Sequence, residues 1–264
     1  MVNNIVVVAT CAFTGFLFLS YLPTYVEGIS DPARFGLVAA VVMLAIMSST
    51  DIRYIAILSI ASTWLFLLLI AGVMFGAEGL GLPELASTMS NIGGYFTNLD
   101  RFVLPISDYH EFYLFWWFSW SIMIGQFVAR FVGGLKTWQL CLALLTIPSI
   151  PLALWFSVLY YYHSNALEVA EMMKLAMVTV GTIFVINSLD SLIRLYTSNM
   201  NITVERFGKA KYIMGNFVVM YGLVLLYQFT PFAIEWVGLL VIGLYAAIYM
   251  LLLKRQDELR LQPI

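Results

Sequence analysis

Phe112-Tyr113-Leu114-Phe115-Trp116-Trp117-Phe118-Ser119-Trp120-Ser121 is the stretch that decides the fold. It opens an apolar segment that continues to Val132, and a segment of that length and composition reads as a membrane-spanning helix. At helical spacing, Trp116 and Trp120 lie four residues apart and Trp117 and Trp120 three apart, which places the three indoles on roughly one face. Two readings of that face stand side by side. Tryptophan and tyrosine collect at bilayer interfaces because they join an apolar body to a polar tip. An electron-rich ring face also attracts a desolvated cation by about 0.5–2 kcal/mol, and a quaternary ammonium group, with no N–H to donate, suits that mode of recognition.

The rest of the chain agrees with a membrane setting. Of 264 residues, 62% are hydrophobic and 11% charged, with a mean hydropathy of +0.91. That leaves too little polar surface for a soluble globule of this size. The net charge of −2 and the lack of a long basic run exclude a nucleic-acid partner. Cys11 and Cys141 lie in apolar stretches without metal-ligand or redox spacing and read as small buried hydrophobes. His110, beside Asp108 and Glu111, and His163, beside Ser164, read as solvated loop histidines. No nucleophile–base pair, nucleotide loop or metal spacing points to an enzyme.

Apolar runs interrupted by charged or Pro/Gly-rich breaks predict an all-α, polytopic membrane protein of about eight transmembrane helices. They fall near Ile5–Val26, Phe35–Thr50, Tyr54–Phe75, Phe112–Val132, Trp138–Tyr162, Met173–Thr197, Tyr212–Phe229 and Ile234–Leu253. Ile5–Val26 lacks a basic leader and a cleavage site, so it reads as a retained helix. Asp51 and Arg53 mark a tight turn between the second and third spans. If the spans alternate, Arg53, Arg130, Lys136, Arg206, Lys209, Lys211, Lys254, Arg255 and Arg260 share one side, against Arg34, Arg101 and Lys174. The positive-inside rule then places both termini in the cytoplasm. The sequon Asn201-Ile202-Thr203 lies on that inner side and reads as chance. The long break before Phe112 holds one short helical segment, Pro83–Leu99, suited to an interfacial or external position.

From Phe112 onward the chain resembles the betaine/choline/carnitine transporter (BCCT) family. The likeness rests on Phe112-Tyr113, Trp116-Trp117, Ser119-Trp120-Ser121, Gly125, Phe127, Ala129-Arg130 and Gly133, then Pro148 and Trp155-Phe156-Ser157. It reaches Asn187-Ser188-Leu189-Asp190-Ser191, where the family has a TSADS-type run. Weaker, colinear matches lie upstream at Val8-Ala9-Thr10, Val41–Ile46 and Asn91–Tyr95. The resemblance implies a partial leucine-transporter-type fold, whose core is ten helices in two inverted repeats. Residues 1–76 then correspond to a remnant of the first repeat, core helices three to five. Residues 77–111 form an extracytoplasmic loop with an interfacial helix, and 112–264 a complete second repeat, core helices six to ten, with a short cytoplasmic tail. The first two core helices, including the broken one that helps to hold substrate and ion in such carriers, have no counterpart.

Carried over residue by residue, the resemblance implies that Trp116, Trp117 and Trp120, with Tyr113, bind a quaternary ammonium group. Ser188 matches a hydroxyl that ligates sodium in coupled relatives, and Asn187, in place of a threonine, offers a hard oxygen of its own. The other half of such a site belongs to the absent first helix, so no cofactor is expected beyond Na⁺ completed by a partner. Asp190 and Arg194, four residues apart, are placed for an intrahelical ion pair. Phe16, Leu17, Phe18 and Tyr21 stand where relatives carry small residues and are expected to fill the space between helices. Tyr160-Tyr161-Tyr162 similarly replaces a glycine pair.

Together these features imply a secondary carrier, or part of one, for betaine, choline, carnitine or similar compounds in a bacterial-type inner membrane. Its partners are the lipid bilayer and either further copies of itself or other membrane subunits. A second reading is a transport-inactive accessory subunit that keeps the carrier scaffold inside a larger membrane complex.

Overall fold

The computed structural model describes residues 2–102, 107, 110 and 112–255, apart from the side chains of Phe102, Tyr113, Arg130 and Phe131. Asp108, Glu111 and Arg260, which entered the reading of the loop histidine and of the charge asymmetry, lie outside the described residues. The main helices are α1 (Val2–Tyr25), α2 (Asp31–Ser49) and α3 (Ile52–Gly76), followed by short helices α4 (Leu82–Ser90) and α5 (Gly93–Thr97). A π-helical turn, Phe112–Trp117, leads into α6 (Phe118–Phe131). Then come α7 (Thr137–Thr146), α8 (Ser149–Ser164), α9 (Glu171–Asn199), α10 (Val204–Phe207), α11 (Lys209–Phe229) and α12 (Ile234–Lys254). Among the described residues, seven helical spans are long and apolar enough to cross a membrane, α7 and α8 counting as one, and a shorter apolar stretch covers Leu114–Ala129. The protein is an all-helical, polytopic integral membrane protein.

Local chemistry sets the helix ends. Asp31-Pro32 opens α2, where proline's missing N–H removes a donor that has no intrahelical acceptor. The α2–α3 turn is as tight as its sequence predicts, because the Asp51 carboxylate accepts from Arg53 N–H at 2.9 Å and caps α3. The span expected over Trp138–Tyr162 is interrupted at Ile147-Pro148. Pro148 and Pro151 each remove a backbone donor, so α7 stops and α8 begins on a new turn. The segment Pro83–Leu99 is likewise two helices rather than one. Glu84 accepts from the N–H of Gly81 at 3.0 Å to start α4, and the chain breaks before Gly93-Gly94.

Helix α1 is the hub of the bundle, packed against α2, α6, α9, α11 and α12. Val6, Val7, Cys11, Ala12 and Leu19 of α1 are buried with Val38, Val42 and Ile46 of α2 and Ile193 and Leu195 of α9. Lipid tails are as apolar as leucine, so close packing and interhelical hydrogen bonds hold such a bundle together. Gly15 shows the closeness: a methyl group there would lie 2.8 Å from Cγ2 of Val224 on α11. A second cluster joins Leu69 and Val73 of α3, Leu85 of α4, Val158 and Tyr162 of α8 and Val180 of α9. Tyr162 donates to the Val73 carbonyl at 2.9 Å and Tyr161 to that of Glu78 at 3.2 Å.

Polar ties gather the start of α1, the ends of α2 and α9 and the start of α11 at one end of the bundle. Asn199 donates to Asn4 at 3.0 Å, and the Tyr212 hydroxyl meets Ser49 at 3.0 Å and Thr197 at 3.2 Å. Arg53, Arg206, Lys209 and Lys211 lie at this end, where α3, α10 and α11 begin or sit, whereas Arg34 and Lys174 begin helices at the other.

Three readings are corrected by the packing. His110 is buried, not solvated: its Nε2 donates to the Arg101 carbonyl at 2.8 Å, which leaves Nδ1 to accept from Ser107 at 2.8 Å. Cys141 is exposed on α7, whereas Cys11 is buried. The Asp190–Arg194 ion pair does not form; among the described residues the ion pairs are Arg34–Asp31 and Lys174–Glu171. Asp190 turns to hydroxyls instead, accepting from Ser48 at 2.6 Å and Ser191 at 3.1 Å, and Arg194 donates to the Ser49 carbonyl at 3.0 Å.

Candidate functional site

The tryptophan run enters the bundle as a π-helical turn, a wider winding than the α-helix that recurs at functional sites. Trp116 and Trp117 close this turn, and Trp120 follows in the first turn of α6. Tyr113 lies on the same turn, with its side chain outside what is described. The three indoles come together as their spacing predicts. Ring centroids are 5.6 Å apart for Trp116–Trp117, 5.2 Å for Trp116–Trp120 and 4.9 Å for Trp117–Trp120. At those separations the three rings pack directly against one another.

The three differ sharply in exposure. Trp116 is 7% exposed, edge-on to Phe13 of α1 at 5.2 Å and tilted against Phe112 at 5.0 Å. Trp120 is half-buried and its indole N–H donates to the Thr10 hydroxyl at 2.8 Å, tying α6 to α1. Trp117 is 46% exposed and is the most accessible of the three. Thr10 and Phe13 are therefore part of the cluster's architecture. Their sequence signal is weak, since a threonine and a phenylalanine three residues apart in an apolar helix are ordinary.

Behind Phe13 the aromatic packing continues to Tyr227 of α11, 5.6 Å away, and from there to Phe232 at 5.2 Å. Tyr227 and Phe232 line an apolar cavity of 660 Å³ with Ile5, Val8, Leu223 and Val237, between α1, α11 and α12. A second cavity, of 620 Å³, lies between α1, α3, α8 and α9. Leu17, Phe18 and Tyr21, expected to fill interhelical space, form one wall of it and leave it open; Phe16 instead packs on Phe13 and Tyr227.

Asn187 and Ser188 are adjacent on α9 but differ in setting. The Asn187 amide bridges to α3, accepting from Ser59 at 2.9 Å and donating to Ser62 at 3.3 Å, while Ser188 is exposed. Neighbouring residues point about 100° apart around a helix, so the two oxygens face different surroundings. Asp190, two residues on, is fully buried on the side that meets α2.

The family model described as betaine/carnitine/choline family transporter matches residues 7–162, a segment that holds most of α1 and α8, all of α2 to α7 and the whole tryptophan cluster. The chain belongs to this family. Among BCCT relatives, it is 30% identical over 172 residues to a high-affinity choline transport protein of Escherichia coli, covering 60% of this chain and 25% of that protein. It is 26% identical over 164 residues to a glycine betaine/proline/choline transporter of Vibrio parahaemolyticus, covering 56% and 28% respectively. It is also 29% identical over 140 residues to an uncharacterized transporter of Mycobacterium tuberculosis, covering 47% and 22%. The aligned part of this BCCT chain thus spans about a quarter of the length of the curated relatives it matches. No solved structure matches it. The BCCT family comprises transporters rather than enzymes.

Proposed function

We propose that this chain is the tryptophan-bearing part of a secondary transporter for quaternary ammonium compounds such as betaine, choline or carnitine. The observation that carries the reading is the exposure of Trp117, whose indole packs at 4.9 Å on Trp120 and at 5.6 Å on Trp116. A methylated ammonium seated there gains about 0.5–2 kcal/mol from a ring face, more as water is excluded. Trp116 and Trp120 hold Trp117 in place through Phe13 and Thr10, so little side-chain freedom is lost when the guest arrives. Transport proceeds in a cell membrane with both termini cytoplasmic, the orientation supported by Arg53, Arg206, Lys209 and Lys211 at one end of the bundle. A coupling Na⁺ takes the Ser188 hydroxyl as one ligand and draws its other oxygens from a further segment or partner, because the Asn187 amide is already engaged with Ser59 and Ser62.

Reconstituted in nanodiscs, the full chain is expected to bind choline and glycine betaine with a change in tryptophan emission. Trp117→Ala is expected to weaken that binding about tenfold or more while leaving helix content unchanged. Binding that ignores the substitution overturns the reading.

One observation favours the second reading, a transport-inactive accessory subunit. Trp116 is enclosed by Phe13 and Phe112, and the three indoles fill their own interior as a packing core does. An accessory subunit binds neither ligand and copurifies in fixed ratio with other membrane proteins.

A further inference from the structure

Helix α12 crosses the π-helical turn at Gly238. A Cβ built on that glycine would lie 2.6 Å from both the carbonyl carbon and oxygen of Phe115 and 2.9 Å from the backbone nitrogen of Trp116. All three are backbone atoms of the peptide group that joins Phe115 to Trp116, inside the π-helical turn, so no side-chain rotation relieves the contact. Ordinary van der Waals contact begins at 3.4 Å, so a single methyl group would push this peptide away by nearly an ångström. Gly238 is buried between Ile234, Val237 and Val241, on the stripe of α12 that faces the bundle. A glycine inside a helix is less favourable than alanine, and a position that keeps one amid bulky neighbours marks a close backbone approach. Gly243, five residues further along α12, meets nothing within 4 Å. The close approach therefore belongs to Gly238 and is not shared by the helix's other interior glycine.

We infer that Gly238 is the positioning residue of the tryptophan cluster, its bare backbone forming the seat that holds the π-helical turn and so sets where Trp116 and Trp117 stand relative to Trp120. α12 packs its bare backbone against this turn at the peptide that joins Phe115 to Trp116. A shift of this peptide moves Trp116 against Phe13 and swings Trp117, while Trp120 stays tied to Thr10. Gly238 touches no ligand; its role in recognition rests on the proposal that the cluster receives a methylated ammonium.

The test compares Gly238→Ala with Gly243→Ala in the full chain in nanodiscs, reading choline binding and the near-ultraviolet circular dichroism of the coupled indoles. Gly238→Ala is expected to weaken choline binding about tenfold or more, as ångström-scale misplacement of a binding group does, and to change the near-ultraviolet spectrum; Gly243→Ala changes neither. Wild-type spectrum and affinity in Gly238→Ala overturn the inference. A changed spectrum in Gly238→Ala, with no choline binding even by the wild type, upholds the positioning role and rejects the proposed ligand. If Gly238→Ala does not fold, Phe13→Leu is added to give Trp116 room to retreat. The double variant is expected to differ from Phe13→Leu alone in its near-ultraviolet spectrum, and identity of the two spectra overturns the inference.

Discussion

Ser48 of α2 donates a 2.6 Å hydrogen bond to the carboxylate of Asp190 on α9, both side chains buried within the bundle. A carboxylate at this depth persists only with donors aimed at it, and Ser191 supplies the second at 3.1 Å. Ser48→Ala is expected to destabilise the bundle by about 1–2 kcal/mol, the upper part of the range for interhelical hydrogen bonds in membranes. A double-mutant cycle with Asp190→Asn, read by denaturation in mixed micelles, is expected to give a coupling of about 1 kcal/mol. Strict additivity would show that the two side chains do not cooperate.

The unequal burial of the tryptophans separates stability from recognition. Trp116→Ala removes a ring enclosed by Phe13 and Phe112 and is expected to cost about 3–5 kcal/mol. Trp117→Ala, at a 46% exposed position, is expected to cost under about 1 kcal/mol in stability. Thermal denaturation of the two variants decides the matter; equal losses would contradict the packing described.

Gly15 sets the spacing of α1 and α11. Gly15→Ala places a methyl group 2.8 Å from Cγ2 of Val224, and a β-branched side chain held in one rotamer yields poorly. The expected cost is about 1–3 kcal/mol, largely recovered in the double variant with Val224→Ala. Failure of the second substitution to restore the melting temperature would place the strain elsewhere.

Glu205 on the short helix α10 tests the electrostatics of the corner formed by α9, α10 and Thr203. Its carboxyl is held below the usual carboxylate range, first by its own backbone N–H, then by the Thr203 hydroxyl and, more weakly, by the charge of Arg194. A value depressed by folding means that the charged form stabilises this corner above the ordinary carboxylate range and that the contribution disappears as pH falls through the depressed value. Carbon-detected NMR titration is expected to find Glu205 ionising at lower pH than an unstructured glutamate, with Thr203→Val moving it upward. A titration indifferent to Thr203 would refute the assignment.

How far the molecule was legible in its sequence follows the range of each interaction. The helix-forming apolar runs, the turn at Asp51 and Arg53 and the meeting of Trp116, Trp117 and Trp120 rest on neighbours within a turn or two and are found, although the run over Trp138–Tyr162 divides at Pro148 and that over Phe112–Val132 is shorter than expected. Asp190 and Arg194 show where that logic stops. Their four-residue spacing permits a pair, but α2 presents Ser48 and the Ser49 carbonyl, and the two side chains reach across to these instead. The enclosure of His110 by Ser107 and Arg101 was equally hidden, since it depends on how a loop folds back on itself.

By itself the chain's composition and periodicity determined that it lives in a bilayer, because hydrocarbon admits long apolar helices with internally satisfied backbones. Its motif positions determined the BCCT kinship. Tertiary structure alone decided which indole is walled in and which stays open, and that Gly238 rather than Gly243 is the seat of the π-helical turn. Those outcomes depend on the approach distance of segments more than a hundred residues apart, and no local pattern encodes a distance of that kind.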